Sequence, residues 1–178
     1  VEGTKNEVAA GPAVTDWRNY GGVPEAQRFA QLTQINIENV GTLKEAWRAR
    51  TGVAYDFKQT PQMANGLLYI CTAGNTLIAY DSDTGEERWR YDTKTEVPGG
   101  ALDRASTFAR TCRGLGYYEA PPEYTGECAK RILAGTVDAR LIAIDALTGQ
   151  KCPSFGFDGQ INLVSGLGKS PLGNFMVT

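Results

Sequence analysis

Histidine is absent from the 178 residues of the sequence. This absence excludes a Ser-His or Cys-His nucleophilic pair and any His-ligated metal within the chain. No apolar run approaches the roughly 18 residues that a membrane-spanning helix needs, so we expect no part of this chain to cross a bilayer. The 18 Lys and Arg residues are scattered and the net charge is -2, a pattern that does not suggest a nucleic-acid partner.

The cysteines also lack a pattern, because no C-x-x-C zinc spacing occurs among Cys71, Cys112, Cys128 and Cys152. If all four are oxidised, three pairings are possible. Cys112 and Cys128 flank a Gly- and Pro-rich segment, and a bridge between them would close a loop of about 15 residues and stabilise by roughly 3 kcal/mol. We therefore expect a Cys112–Cys128 disulfide and a location outside the cytoplasm. Four reduced, half-buried thiols are the alternative.

What the sequence does contain is an internal repeat. The segment LIAYDSDTGEERWRY, residues 77–91, begins in the same way as LIAIDALTGQK, residues 141–151, after an offset of 64 residues. Each copy is an alternating apolar strand that ends in Asp-x-x-Thr-Gly. Asp81 can accept hydrogen bonds from backbone amides across this turn, and Gly85 can adopt a positive φ. A single hairpin cannot bury its own face, so the repeat favours stacked or radially arranged sheets, as in a β-propeller.

The strand pattern predicts an all-β fold whose blades are four-stranded antiparallel sheets. The first blade is expected to have strands at 62–64, 67–72, 76–81 and 87–91, with a hairpin turn at Asn65-Gly66. Later strands are expected at 131–136, 140–145 and 160–164. The repeat is longer than the roughly 40 to 50 residues of one blade, so we expect a loop insertion at 93–127. Residues 1–15 are expected to form a flexible N-terminal segment and residues 16–178 a partial propeller domain.

The sequence also predicts local structure or a role for several single residues. Asn36 is a plausible N-cap for a short helix at 37–43, and a strand is expected at 44–50. In the second repeat, Phe155 and Phe157 are expected to take the place of Trp89. Repeat position marks Asp81 and Asp145 as turn formers rather than a catalytic carboxylate pair. The tryptophans are expected to pack blades rather than to stack on a ligand: Trp17, Trp47 and Trp89.

At several segments the sequence resembles the pyrroloquinoline quinone (PQQ) dependent dehydrogenases, in particular the membrane-bound glucose and quinate type. The matching pieces include DWRNYGG, TCRGLGYY and RILAGTVDARLIAIDALTGQKCPSFG, and the resemblance extends over nearly all of residues 16–178. The motif Ala-x-Asp-x-x-Thr-Gly-x-x-x-Trp, residues 79–89, is shared by all quinoprotein blades and by non-enzymatic relatives. TCRG followed by a cysteine-bearing insertion and DARLIAIDA is much more specific.

The resemblance implies an eight-bladed propeller, of which this chain has room for about three blades as the N-terminal portion. It implies that PQQ at the propeller centre oxidises a sugar, polyol or cyclitol and passes electrons to ubiquinone. It also implies a Ca²⁺ or Mg²⁺ ion and a catalytic carboxylate, with the residues responsible located beyond this chain. A periplasmic location follows by the same resemblance, with attachment to the inner membrane through parts outside this chain.

Only two cofactor-binding residues can be assigned from the resemblance. Arg113 matches a family arginine close to PQQ, and a guanidinium suits the three carboxylates of that cofactor. Lys58 stands where many glucose-type members have glutamate; it could reach a PQQ carboxylate as a point charge or simply be solvated. Ala109 stands where many have histidine, so glucose itself is in doubt as the substrate. An ordinary loop arginine at position 113 remains the alternative for that residue.

A second function also fits the repeat. A non-catalytic PQQ-repeat propeller that acts as a protein-protein scaffold in the cell envelope would carry the same blade motif. Such a scaffold has regular blades with little between them. The segment 93–127, with Arg113 inside it, is more typical of a loop that lines a site, and the sequence therefore favours the enzyme.

Overall fold

The computed structural model describes residues 16–30, 32–53, 57–94, 111–166 and 168. Two four-stranded antiparallel sheets make up most of its regular structure. Sheet 1 contains β1 (Gln62–Ala64), β2 (Leu67–Cys71), β3 (Thr76–Asp81) and β4 (Glu87–Asp92). Sheet 2 contains β5 (Gly116–Glu119), β6 (Lys130–Gly135), β7 (Arg140–Asp145) and β8 (Gln160–Asn162). In both sheets the strands lie side by side in chain order, which confirms the predicted all-β blades.

The hairpin signals account for the strand positions. Asn65 and Gly66 both have positive φ, 56° and 71°, as a two-residue turn between β1 and β2 requires. In β3 four successive residues, Leu77 to Tyr80, are buried, because neighbouring structure covers both faces of this strand. In β4 only Trp89 is buried, and Tyr91 packs half-buried against the same core, so one face of this outer strand contacts the core. The four strands predicted for the first blade are therefore all present.

The structure corrects three local predictions. The segment 93–127 is not wholly irregular, because β5 lies within it and pairs with β6; β5 is short and mostly exposed, so it lacks an apolar alternation. The helix predicted at 37–43 is only a 3-10 helix, Val40–Thr42, although the Asn36 side chain does accept a hydrogen bond from the Glu38 amide. Residues 44–50 form no strand. The described residues thus give two complete sheets where chain length suggested about three blades.

The repeated Asp-x-x-Thr-Gly turns have the same hydrogen bonds in both copies. One carboxylate oxygen of Asp81 accepts from the amides of Asp83 and Thr84 and from the Thr84 hydroxyl, at 3.0 to 3.1 Å. Asp145 accepts the equivalent three hydrogen bonds in the second copy. The Thr84 amide and hydroxyl hold the pKa of Asp81 below its ordinary value. Both aspartates are therefore turn formers, as predicted.

Tryptophans connect each repeat to the next one along the chain. The Trp89 indole donates a hydrogen bond to the Ala146 carbonyl at 2.9 Å and lies against Gly149. The Trp47 indole does the same one repeat earlier, donating to the Ser82 carbonyl at 3.0 Å and lying against Gly85. Trp47 and Trp89 are thus packing residues, as predicted. Trp89 joins sheet 1 to sheet 2, and Trp47 joins the segment before sheet 1 to the last turn of that sheet.

The predicted replacement for Trp89 in the second repeat is only half correct. Phe155 packs against the buried cluster of Cys128, Ala143 and Cys152. Phe157 is 85% exposed and fills no cavity in the described part of the chain. Its neighbours Gly156 and Asp158 both have positive φ, so the chain turns sharply here instead of continuing as a strand that could present Phe157 to the core.

Asn75 joins the two sheets through a fully desolvated amide. It lies in the turn between β2 and β3, is 2% exposed and has φ of 63°. Its Nδ2 donates to the Gly135 carbonyl at 3.2 Å, and its Oδ1 accepts from the Val137 amide at 3.1 Å. Asparagine tolerates the left-handed region of backbone conformation. Asn75 can therefore adopt the positive φ of this turn and also supply the amide that bonds to the second sheet.

We expect Asn75→Gly to lower the free energy of unfolding by about 1 to 3 kcal/mol. Glycine keeps the positive φ but leaves the buried Val137 amide and Gly135 carbonyl without the Asn75 amide. Urea unfolding of the polypeptide followed by circular dichroism measures the change. A loss below about 0.5 kcal/mol would contradict the assigned role of Asn75, since substitutions away from such features usually stay within that range.

The structure contains two disulfides, and neither is the predicted Cys112–Cys128 bridge. Cys71 pairs with Cys112 and Cys128 pairs with Cys152, each with a Cα–Cα distance of 5.8 Å. The prediction was wrong because it considered only the length of the loop between Cys112 and Cys128. In the fold, Cys71 at the end of β2 lies beside Cys112, and Cys128 lies beside Cys152 in the segment after β7. The sequence separations are 41 and 24 residues. By chain entropy each cross-link is worth about 3 to 4 kcal/mol.

Candidate cofactor site

Arg113 lies between two buried anchors. Cys112 and Leu115 are 6% and 8% exposed and belong to the main hydrophobic cluster, which also contains Cys71. Arg113 and Gly114 between them are exposed, and β5 begins at Gly116. Because its flanking residues are held in the core, the Arg113 side chain is presented at the surface from a fixed stretch of backbone.

Arg113 lines a cleft of about 500 Å³. This volume is within the range of about 300 to 1,000 Å³ that is usual for small-molecule sites. Within the described residues, the Arg113 guanidinium has no hydrogen bond or ion pair, whereas Arg18 and Arg90 are both paired with carboxylates. The cleft combines this cation with an aromatic ring and an apolar wall, and its lining residues are Tyr20, Arg113, Gly114, Leu115, Gly116, Leu133, Gly135 and Leu141.

Tyr20 reaches the cleft because the segment around it spans both sheets. The backbone of Trp17 exchanges two hydrogen bonds with Met63 in β1, and Arg18 forms an ion pair of 2.5 Å with Glu119 in β5. The hydrogen bond to Asp16 raises the pKa of Arg18, so its guanidinium stays charged. The Arg28 guanidinium lies 4.9 Å from the centre of the Tyr20 ring and donates to its hydroxyl at 3.0 Å. The Tyr20 ring is therefore held at the cleft from its outer side.

Lys58 does not line the cleft, but its loop is fastened to the Arg113 segment. The Thr60 amide donates to the Arg113 carbonyl at 3.4 Å. The buried Gln59 side chain accepts a hydrogen bond from the Cys71 amide, next to the Cys71–Cys112 disulfide. Lys58 is exposed. The structure thus brings together the chain segments of the two predicted residues, and it places only Arg113 at the cleft. Ala109 lies outside the described residues.

A second cleft, of about 390 Å³, lies beside sheet 1. Among the described residues its lining is almost entirely apolar, without a charged side chain, and includes Trp47, Phe57, Ile70 and Tyr80. A tricarboxylate such as PQQ would find no cation there, so this cleft is a poor match for the predicted cofactor. Among the described residues no group of three or more His, Cys, Asp or Glu could hold a metal ion.

The sequence analysis missed Tyr20 and Gln59. Tyr20 lies in the DWRNYGG segment, which the sequence analysis used only as part of the family resemblance, and nothing in the sequence indicated that this segment meets β5. Gln59 is 7% exposed, and a glutamine near a proline carries no signal of burial.

Across the described residues, none of the helical structure has the length and apolar character needed to span a membrane.

Four-stranded sheets linked by tryptophan-to-turn contacts, with a cationic cleft beside β5, define this chain as part of a β-propeller. The glucose/ethanol/alcohol dehydrogenase β-propeller domain model of PQQ proteins matches residues 17–178. The chain therefore belongs to this family of PQQ propellers.

Two curated relatives and one solved structure illustrate the similarity. The chain is 39% identical over 183 residues to the quinoprotein glucose dehydrogenase of Escherichia coli (strain K12), covering 93% of this chain and 22% of the relative. It is 34% identical over 181 residues to the quinate/shikimate dehydrogenase (quinone) of Acinetobacter baylyi, covering 87% and 21%. The crystal structure of quinohemoprotein alcohol dehydrogenase from Comamonas testosteroni matches with a TM-score of 0.66 and 26% identity, covering 85% of this chain and 20% of that chain.

The chain thus spans about a fifth of the length of the curated relatives that it matches. The residues at the cleft fit the chemistry of PQQ, a planar cofactor with three carboxylates. Arg113 supplies a guanidinium with no partner in the described part of the chain, and Tyr20 and three leucines supply flat or apolar contact surface. Gly114, Gly116 and Gly135 leave room for close approach to the backbone.

Proposed function

We propose that this chain supplies early blades and one wall of the cofactor site in a PQQ-dependent dehydrogenase that oxidises a sugar, polyol or cyclitol. The observation that carries the proposal is Arg113, a guanidinium that lines a cleft of cofactor size and has no partner among the described residues. When bound, PQQ accepts two electrons and protons from an alcohol carbon. This chain contributes binding and orientation, and the catalytic base and the metal ligands come from outside it.

Arg113 is the group in this chain that holds the cofactor. Its planar guanidinium can donate two parallel hydrogen bonds to one carboxylate, which fixes both the position and the rotation of the bound ring. Gly114 beside it is exposed and has no side chain that could compete for the space around Arg113. Tyr20, whose hydroxyl accepts a hydrogen bond from Arg28, offers a planar ligand an aromatic contact surface in the same cleft.

Lys58 is a second cofactor-binding residue in this proposal, acting through longer-range charge. Its loop is joined to the Arg113 backbone by the hydrogen bond from the Thr60 amide, so the two positive charges lie on neighbouring chain segments. A lysine at this position and an alanine at position 109 differ from many glucose-type relatives. The substrate panel must therefore extend beyond glucose to other aldoses, polyols, quinate and shikimate.

The partners and location of the whole protein form part of the same proposal. We place it in the periplasm, attached to the inner membrane through other parts of the polypeptide, with Ca²⁺ or Mg²⁺ bound beside PQQ and ubiquinone as the electron acceptor. Two disulfides support an oxidising compartment. Glucose and quinate dehydrogenase activities of the relatives support the substrate class.

Dye-linked alcohol oxidation by the full polypeptide, reconstituted with PQQ and Ca²⁺ or Mg²⁺, tests the function. We expect turnover with at least one substrate class of the panel and none when PQQ is omitted. Reconstitution with either metal alone serves as the control. PQQ binding without turnover on any member of the panel would refute the substrate class, and neither binding nor turnover would favour the non-catalytic scaffold.

A further inference from the structure

We propose that the Cys71–Cys112 disulfide is a positioning element for Arg113, so that this cross-link determines the affinity for PQQ and not only the stability of the fold. The inference rests on the proposed cofactor role of Arg113. It assigns to one of the two disulfides a part in cofactor binding that the other does not share.

The first argument is adjacency. Cys112 precedes Arg113 directly, and its disulfide attaches the backbone at that point to the last residue of β2. On the other side only Gly114 separates Arg113 from the buried Leu115. Two anchors so close together leave the Arg113 backbone little freedom. Loss of the covalent anchor would release one end of this short exposed stretch.

The second argument compares the strengths of the available restraints. Apart from the cross-link, the hydrogen bond that the Arg113 backbone makes within the described residues comes from the Thr60 amide at 3.4 Å, which is long for an N–H···O bond. A long, partly exposed hydrogen bond opens easily, whereas a disulfide keeps its sulfur atoms together through every local fluctuation. The covalent link is therefore the restraint that determines the position of the Arg113 backbone, from which the guanidinium extends.

The third argument is that the far end of the cross-link is itself rigid. Cys71 is 1% exposed and pairs with Leu77 in β3. Its amide donates to the buried Gln59 side chain, which also fixes the Lys58 loop. The disulfide thus connects Arg113 to the end of an inner strand of sheet 1, and a side chain placed from a packed sheet is positioned more accurately than one on a free loop.

The Cys128–Cys152 disulfide provides a matched control within the same chain. It is also buried, with both cysteines at 9% exposure or less. It joins the start of β6 to the segment after β7, and it belongs to a different hydrophobic cluster from the one that holds Cys112. Neither of its cysteines adjoins Arg113. Its removal raises the entropy of the unfolded chain and lowers the stability of the fold by a comparable amount, but it leaves the restraint on Arg113 in place.

The experiment compares two double variants of the full polypeptide, Cys71→Ser/Cys112→Ser and Cys128→Ser/Cys152→Ser. PQQ dissociation constants are measured by isothermal titration calorimetry at a temperature where circular dichroism shows both variants folded. We expect removal of the first disulfide to raise the dissociation constant about tenfold and removal of the second to change it less than about twofold. In an Arg113→Ala background, removal of the first disulfide should have no further effect, because no guanidinium remains to be positioned.

Three results overturn the inference. Unchanged PQQ affinity in the first variant does so, as does equal weakening by both variants, which would indicate a general loss of rigidity. Additive losses in the Arg113→Ala background would show that the disulfide acts on something other than Arg113. If the serine pair does not fold, Cys71→Ala/Cys112→Val keeps the core apolar and gives the same comparison. Absence of PQQ binding by the unaltered protein would overturn the proposed function as a whole. Binding by the unaltered protein that weakens in Arg113→Ala supports the proposed function, and the comparison of the two disulfide variants then decides the positioning role by itself.

Discussion

Arg113→Ala should weaken PQQ binding by about 10- to 100-fold. Hydrogen bonds to a charged partner contribute about 1.5 to 3 kcal/mol each, and a tenfold change in affinity corresponds to about 1.4 kcal/mol. The guanidinium is free to make such bonds, because it has no partner in the part of the chain that the structure describes and lines the cleft directly. Calorimetric titration of PQQ into the full polypeptide measures the loss.

Two further variants show whether the effect is specific to the site. Arg113→Lys retains the charge but cannot donate a parallel pair of hydrogen bonds, so we expect an intermediate affinity. Arg48→Ala removes an exposed arginine that is paired with Glu45 and does not line the cleft, and it should leave PQQ affinity unchanged. If Arg113→Ala binds PQQ as tightly as Arg48→Ala does, Arg113 is an ordinary loop arginine and the site must be sought elsewhere.

Trp89→Ala should lower the free energy of unfolding by about 3 to 5 kcal/mol, as is usual when a buried aromatic residue is truncated. Trp89 is 8% exposed, packs against Tyr69 with ring centres 6.0 Å apart, and donates to the Ala146 carbonyl of the second repeat. Its loss removes contacts within sheet 1 and between the two sheets. Denaturant unfolding reports the change, and a loss below about 1 kcal/mol would contradict the role of Trp89 in joining the sheets.

Two glycine-to-alanine variants distinguish the loss of stability caused by the Trp89–Gly149 contact from the loss caused by positive φ alone. Gly149 and Gly66 have nearly the same φ, 72° and 71°, but a Cβ added to Gly149 would lie 2.8 Å from the Trp89 side chain, whereas one added to Gly66 would meet nothing within 4 Å. Gly66→Ala should therefore cost about 1 to 2 kcal/mol from φ alone. Gly149→Ala should cost about 1 to 3 kcal/mol more, because the indole must move. Equal losses in the two variants would show that Trp89 does not press on Gly149.

Local signals were sufficient to predict sheet 1. Its four strands alternate or run apolar, Asn65-Gly66 marks the first turn, and Asp81 marks the last, so neighbouring residues alone determine the pattern. β5 had no such signal, because GYYE is short and becomes a strand only by pairing with β6. The strand predicted at 44–50 failed for a related reason: Trp47 contacts the Ser82 carbonyl and Gly85 through its side chain, with no neighbouring strand to complete a ladder in the described residues.

The candidate site was predictable only in part. The TCRG motif gave Arg113, and its resemblance to a family suggested the ligand. The disulfide partner of Cys112 was not predictable, because Cys71 reaches it through the tertiary arrangement of β2 and residues 111–115, and sequence separation gives the opposite preference. The same arrangement determines that Tyr20 meets the cleft and that the Lys58 loop is joined to the Arg113 backbone through Thr60.

Titration of PQQ into the full polypeptide in the presence of Ca²⁺ or Mg²⁺ tests the central claim most directly. The claim is that this chain forms one wall of a PQQ site. We predict saturable binding of one PQQ per polypeptide, with the affinity reduced in Arg113→Ala and unchanged in Arg48→Ala. Absence of saturable binding, or binding that is indifferent to Arg113, would contradict it.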